Sequence, residues 1–176
     1  MKSERISSVL RFASPLTVLL FAGALTVFAQ AGSSDRQFAK EAASGGQAEV
    51  KLGQLAQSNG QSDAVKSFGQ RMVTDHSKAG EELKQAAQKD GVQVDDTLSA
   101  KDQVTYDRLA KLHGAEFDRA YARTMTQDHE QDVAEFQKEA SQGQSPAIKD
   151  FAKNTLPTLR AHLKLAQQMS QSISKS

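Results

Sequence analysis

Three histidines and one glutamate occupy positions where the surrounding pattern predicts apolar side chains. They are Glu49, His76, His129 and His162, and each lies near the middle of a different long helical pattern. Imidazole nitrogens and carboxylate oxygens are suitable ligands for Zn, Cu, Ni, Mn and Fe ions. If the four helices pack side by side, these side chains meet in one layer of the core. The sequence therefore predicts a site for a transition metal ion.

The apolar residues around these positions recur every three or four residues, which keeps them on one helix face. Each of the four polar residues takes one place in such a stripe, so its side chain should face inward. All four lie within about four residues of their helix midpoints, which is roughly 6 Å at 1.5 Å per residue. The stripe of the second helix, for example, consists of Val65, Phe68, Met72, His76, Ala79 and Leu83.

Helix-terminating residues separate these patterns. Gly60, Gly91 and Gly143 follow the periodic segments, and Pro146 is typical of the first position of a helix. The composition is rich in helix-forming residues and contains no tryptophan and no cysteine. The sequence predicts an all-α four-helix bundle with helices at about 34–58, 62–90, 115–142 and 146–170, and a shorter helix at about 99–112.

The segment between the second and third long helices is long enough to cross the whole bundle. A helix of this size is about 40 Å long, and the short helix and the loop before it supply roughly 20 Å each. The second and third long helices would then run parallel, as in bundles with one long crossover. A simple up-and-down bundle, with this segment folded against its side, is the alternative.

Two stretches of the sequence resemble each other at the candidate ligands. Residues 72–76 read MVTDH and residues 125–129 read MTQDH, while 49–54 (EVKLGQ) and 162–167 (HLKLAQ) show a weaker similarity. A quasi-symmetric site would account for both pairs. Asp75 and Asp128 could accept hydrogen bonds from imidazole N–H groups or act as extra ligands. Alternatively, they are surface carboxylates paired with arginines such as Arg71 or Arg160.

The N-terminal segment resembles a targeting sequence. Lys2, Arg5 and Arg11 precede an apolar run at 16–28, and residues 29–31 read AQA. This order predicts a signal peptide at 1–31 and a mature domain at 32–176 without a membrane span, located in the periplasm or secreted. A retained membrane anchor is the alternative. The formal net charge of +1 and the absence of a basic stripe argue against nucleic acid as a partner.

Several of these stretches together resemble a known family. Residues 46–50 (GQAEV), 68–76 (FGQRMVTDH), 114–118 (GAEFD), 125–129 (MTQDH) and 156–163 (LPTLRAHL) are similar to domain-of-unknown-function family 4142. The resemblance implies export and a ferritin-like helical bundle, and it implies no biochemical activity. Di-iron bundles use two Glu-x-x-His motifs and two further glutamates. Glu49 is the one clear core glutamate here, so a mononuclear site is the preferred hypothesis.

Three functions remain open on the sequence. The first is an exported metal-binding module in metal handling or the envelope stress response, with Zn, Cu, Mn or Fe bound by the four core residues. The second is an oxidoreductase that uses the same ion with an open coordination position. The third is a structural or protein-binding bundle in which the polar layer only fixes how the helices pack.

Overall fold

The computed structural model describes residues 31–175, which form five α-helices and no strand. The predicted all-α class is confirmed. Apart from Ala31, the predicted signal peptide lies outside the described residues. Among residues 31–175, no helix is both long enough and apolar enough to cross a membrane. The helices are α1 (Ser33–Asn59), α2 (Asp63–Lys89), α3 (Ala100–Leu109), α4 (Gly114–Gln142) and α5 (Pro146–Ile173).

Serine side chains cap the N-termini of two of the helices, α2 and α3. The hydroxyls of Ser62 and Ser99 accept hydrogen bonds from backbone N–H groups in the first turns of α2 and α3. The short helix α3 ends at Leu109, three residues before its predicted end. There the Asn59 side chain donates to the carbonyl of Leu112 (2.9 Å), which holds the chain in a turn before α4.

Hydrogen bonds between the connections orient the four long helices. Asp118, in the first turns of α4, accepts from the backbone N–H of Ser62 (2.8 Å), just before α2. Helices α2 and α4 therefore begin at the same end of the molecule and run parallel. Asp35, near the start of α1, likewise accepts from the N–H of Ser145 (2.7 Å), just before α5. This is the orientation that a long crossover between α2 and α4 produces.

Each long helix has two main neighbours. Helix α1 packs along α2, and α4 packs along α5, while α2 also contacts α5 and α1 contacts α4. The parallel pairs, α2 with α4 and α1 with α5, therefore lie on the diagonals. Helix α3 lies against α1 and α4. One face of the molecule, where α1 meets α4, is thus bordered by a short helix that the α2–α5 face lacks.

Two glycines bring α1 and α2 into backbone contact. A Cβ atom on Gly53 would lie 2.5 Å from the carbonyl oxygen of Gly69, and one on Gly69 would lie 2.5 Å from the Cβ of Ala56. No side chain fits at either position without a shift of the helices. The close approach lies one turn from Glu49 and two turns from His76, so it sets the distance between these two side chains.

The apolar core is divided into two clusters along the helices. One contains Phe38, Leu83, Phe136 and Leu159 among others, and the second contains Leu52, Met72, Phe117 and Met125 among others. The candidate ligands lie between them. The polar residues therefore form a layer inside the core and not a patch at its edge.

Candidate metal centre

The four predicted ligand residues come together in this buried layer. Glu49, His76, His129 and His162 are 4%, 7%, 0% and 1% exposed. The centroids of the three imidazole rings are 5.3–5.8 Å apart. One ring nitrogen of each histidine lies within 4.8 Å of those of the other two. The three rings are thus close enough to offer their nitrogens to one metal ion.

Two of the rings are held by carboxylates. His76 Nδ1 donates to Glu49 Oε2 (2.9 Å), and His162 Nε2 donates to Asp75 Oδ2 (2.8 Å). A carboxylate oxygen accepts hydrogen bonds, so these two nitrogens carry the ring protons. The bond from His162 connects α5 to α2, its neighbour. Asp75 therefore lies where an acceptor that orients His162 should lie.

The third ring is held by the backbone. His129 Nδ1 lies 2.9 Å from the carbonyl oxygen of Met125, one turn earlier in α4, and donates to it. All three histidines thus have one nitrogen fixed by an acceptor. The other nitrogen of each ring is buried and has no hydrogen-bond partner among residues 31–175. These three atoms are His76 Nε2, His129 Nε2 and His162 Nδ1.

The glutamate and its partner histidine stabilise each other's charge. Burial alone would raise the pKa of Glu49. At the low pH where the imidazoles carry protons, however, the charges of His76 and His129 outweigh burial and lower that pKa to about 2. Burial likewise opposes charging of His76, yet the Glu49 carboxylate raises its pKa above the usual value. Glu49 is therefore ionised at neutral pH and favours a proton or a metal ion on its neighbours.

The other two histidines are shifted in the opposite direction. Burial lowers the pKa of His129, and it lowers the pKa of His162 to about 4 despite the hydrogen bond to Asp75. Both rings are therefore neutral at pH 7. Each has a nitrogen lone pair in a place that water does not reach, and neutral imidazole is the form that binds metals.

Aromatic side chains cover the layer on one side. Phe68 meets the rings of His129 and His162 edge-on, with centroids 6.1 and 6.5 Å away, and it meets Tyr121 in the same way at 6.2 Å. The hydroxyl of Tyr121 is buried and has no hydrogen-bond partner in the described part of the chain, and burial together with Glu49 raises its pKa. The histidines are thus shielded from solvent on this side, which strengthens electrostatic interactions within the layer.

Asp128 lies on the side of the layer where α1 meets α4. No hydrogen bond joins it to a histidine within residues 31–175, and no ion pair joins it or Asp75 to Arg71 or Arg160 in that range. Asp128 instead lines a cavity of about 400 Å³ between α1, α4 and the start of α3. Burial, followed by the charge of Glu49, raises the pKa of Asp128 to about 6.

The structure adds one residue that the sequence analysis did not single out. Asp132 lines the same cavity, and burial together with the Glu49 charge raises its pKa well above the usual value. One oxygen of Asp132, one oxygen of Glu49 and one nitrogen of His129 lie within 4.8 Å of one another. Asp132 follows His129 by three residues, a spacing that places both on one helix face and could have indicated it.

Fold and site together define an all-helical protein with a buried histidine–carboxylate cluster that could hold a metal ion. The chain belongs to the family described as "Domain of unknown function (DUF4142)", whose model matches residues 23–169. A crystal structure of a DUF305 fragment from Deinococcus radiodurans is similar, with a TM-score of 0.69 and 14% identity. The matched region covers 84% of this chain and 99% of the DUF305 fragment. At this identity the similarity shows the fold alone. No curated protein matches the chain.

Proposed function

We propose that this protein is an exported metal-binding module with a mononuclear transition-metal site, serving metal handling or the envelope stress response. In this proposal its helices form a ferritin-like four-helix bundle in which α3 belongs to the crossover. The three histidines supply the nitrogen ligands, and Zn, Cu, Mn or Fe are the candidate ions. Glu49 orients His76 through Oε2, and its free Oε1 is the fourth predicted donor.

One observation carries the proposal. His76, His129 and His162 each use one nitrogen to bind an acceptor and leave the other buried and unsatisfied, with one nitrogen from each ring close to the others. Each buried, unsatisfied polar group costs about 1–3 kcal/mol. A metal ion removes all three costs at once. Metal-binding histidines typically donate their second N–H to a carboxylate or carbonyl, which is the arrangement found here.

A metal-dependent oxidoreductase is the second candidate. Three protein ligands leave a coordination position open for a small molecule. The cavity of about 400 Å³ reaches Glu49, and so provides a route from solvent to the layer. If the purified protein holds Cu, Mn or Fe, peroxide turnover and redox cycling of the bound ion distinguish this activity from metal storage or transport.

The first experiment is elemental analysis of the mature protein, purified without an affinity tag from its exported form. We expect about one equivalent of a transition metal per chain, in line with a single three-nitrogen site. The double variant His76→Ala/His129→Ala should hold none. His113→Ala is the matched control, because His113 is exposed and lies outside the layer; it should retain the metal.

Thermal unfolding with added metal ions detects the site even if the bound ion is lost during purification. At a free metal concentration 100 times Kd, binding stabilises the protein by about 2.7 kcal/mol. That corresponds to a rise in Tm of about 5–10 °C for a domain of this size. No metal in the wild type and no rise in Tm with Zn, Cu, Mn or Fe would overturn the proposal. The layer would then serve only to fix how the helices pack.

A further inference from the structure

The cavity beside the layer is strongly acidic, and the three-histidine site does not explain why. Among the described residues that line it, only Lys101 is basic. The hydroxyls of Ser44 and Ser99 donate to the carboxylate of Asp102. Gln37 donates to Glu41, and His76 donates to one oxygen of Glu49. No hydrogen bond or ion pair within residues 31–175 engages the carboxylates of Asp128, Asp132 and Glu135. Like charges crowded into a partly enclosed space favour a cation. The carboxylates that line the cavity are Glu41, Glu49, Asp102, Asp128, Asp132 and Glu135.

Two buried atoms beside this cavity have no hydrogen-bond partner among residues 31–175. They are Glu49 Oε1 and His129 Nε2, which lie 3.3 Å apart. The proton of His129 is on Nδ1, bound to the Met125 carbonyl, so neither of the facing atoms donates. Two ligand atoms bound to one ion at about 2.0–2.1 Å in tetrahedral geometry are about 3.4 Å apart. The observed separation therefore fits two ligands of one ion.

Asp132 supplies a third possible ligand, because one of its oxygens lies within 4.8 Å of an oxygen of Glu49 and a nitrogen of His129. We propose that Glu49, His129 and Asp132 form a second cation position at the inner end of the acidic cavity, through which a divalent transition-metal ion loads the three-histidine site. The loading position rests on the metal function proposed above, because it delivers the ion to that site.

His129 explains why this is a loading position and not a second resident ion. Its single free nitrogen belongs to both groups of ligands, and one lone pair binds one ion at a time. The ion moves between the positions while His129 remains bound to it. The oxygen of Asp132 is exchanged for nitrogens of His76 and His162, while Glu49 Oε1 remains the fourth donor. A void of about 40 Å³, lined by Glu49, His76 and Asp132 among others, is large enough to hold a water molecule beside these ligands.

The ligand types set the direction of transfer. Carboxylate oxygens accept an ion that still holds part of its water shell, whereas imidazole nitrogens bind the later first-row ions more strongly. An ion therefore arrives at Glu49 and Asp132 first and settles among the three histidines.

Stopped-flow measurement of Co²⁺ uptake by the metal-free protein tests this inference, with the visible absorption of the bound ion as readout. Asp132→Asn removes one ligand and one charge. Glu135→Gln is the matched control, because it removes one charge from the same cavity but no ligand. At about 0.15 M salt, where the Debye length is about 8 Å, we expect Asp132→Asn to slow uptake about tenfold, well beyond the effect of charge alone. Glu135→Gln should change it less than about threefold, and both should bind the same final amount of Co²⁺.

Two results would overturn the loading position. If both variants slow uptake equally, the carboxylates of the cavity attract the ion only through their negative charge and Asp132 does not bind it. If Asp132→Asn takes up Co²⁺ at the wild-type rate, the residue has no part in loading, while the three-histidine site stands. Failure of the wild type to bind Co²⁺ at all would instead remove both proposals together.

A second pair of variants isolates the proposed position. His76→Gln/His162→Gln removes two nitrogen ligands with little change in volume and keeps Glu49, His129 and Asp132. This protein should still bind one Co²⁺, more weakly, and adding Asp132→Asn should abolish that binding. Circular dichroism confirms that each variant is folded. If the double variant binds no Co²⁺, or if Asp132→Asn leaves its affinity unchanged, the three residues do not form a cation position.

Discussion

The Asp-His pair at the middle of α2 also occurs at the middle of α4, yet the two aspartates have different surroundings. Asp75 accepts a hydrogen bond from His162 on α5. Asp128 bonds no histidine within residues 31–175 and lines the acidic cavity beside α1. The two histidines of these pairs point into the same layer. The same Asp-His dipeptide has therefore produced two buried histidines in one layer and two aspartates with different surroundings.

The neighbouring helices explain the difference. Besides its main partner α1, helix α2 contacts α5. Besides its main partner α5, helix α4 contacts α1. The similar stretches pair α2 with α4 and α1 with α5, as a two-fold axis along the helices would. Under such an axis, His162 on α5 corresponds to Glu49 on α1. Asp75 therefore faces an imidazole that donates to it, and Asp128 lies on the side of a carboxylate that repels it. The aspartate on the α2–α5 side is thus hydrogen-bonded to a histidine, while the aspartate on the α1–α4 side lines an acidic cavity.

The largest effect that separates the two aspartates should be on metal affinity. Asp75→Ala removes the acceptor that fixes His162, and loss of such an outer partner typically weakens metal binding about 10- to 100-fold. Asp128→Ala removes no hydrogen bond to a ligand, and we expect it to change affinity less than about threefold at equilibrium. Competition with a chromophoric chelator measures both. Equal losses in the two variants would mean that the aspartates act only through their charge.

The inward positions of the four candidate ligands could be predicted from the sequence, because they depend on helical periodicity. A period of 3.6 residues specifies which side chains face inward. It therefore predicted that Glu49, His76, His129 and His162 share a layer, and the structure places them together. Serine caps and glycines, through local interactions, indicated where each long helix begins and ends to within a few residues.

The partners of each polar side chain depend on distances between helices, which periodicity does not specify. The sequence treated Asp75 and Asp128 as equivalent, because nothing local to residues 72–76 and 125–129 reveals which helix lies alongside. Glu49 was assigned as a ligand on its inward position, and only the packed helices show that its Oε2 is already bonded to His76. Asp132 was overlooked since a carboxylate three residues after a histidine is common on helix surfaces.

A smaller effect should appear in the stability of the metal-free protein. The folded-state pKa of Asp128, about 6, lies above the usual 3.8. The folded protein thus holds the Asp128 proton more tightly than the unfolded chain does, and stability falls as pH rises from about 4 to 6. Since one pKa unit corresponds to about 1.4 kcal/mol, Asp128→Asn should stabilise the metal-free protein by about 1–3 kcal/mol at pH 7.

Urea unfolding in the presence of a chelator measures this gain as a function of pH. The difference between Asp128→Asn and the wild type should disappear below about pH 4, where both the folded and the unfolded state of the wild type hold the proton. Asp75→Asn is the control, because Asp75 lies on the α2–α5 side and its carboxylate is bonded to His162; it should bring no gain. A gain from Asp128→Asn that is constant with pH would rule out the charge as its cause.

The smallest effect tests whether the α1–α4 side is open in the way the cavity indicates. A Cβ atom on Gly45, which lines the cavity, would meet no atom within 4 Å, whereas one on Gly53 would meet the backbone of α2 at 2.5 Å. Both glycines lie inside α1, where alanine is favoured over glycine by about 0.5–1 kcal/mol. Gly45→Ala should therefore stabilise the protein by about that amount, while Gly53→Ala should destabilise it.

Thermal unfolding of the two metal-free variants shows whether each substitution stabilises or destabilises the protein. Because the helix and the substitution are the same, opposite signs can come only from the surroundings, and a destabilising Gly45→Ala would mean that the α1–α4 side is closed in solution.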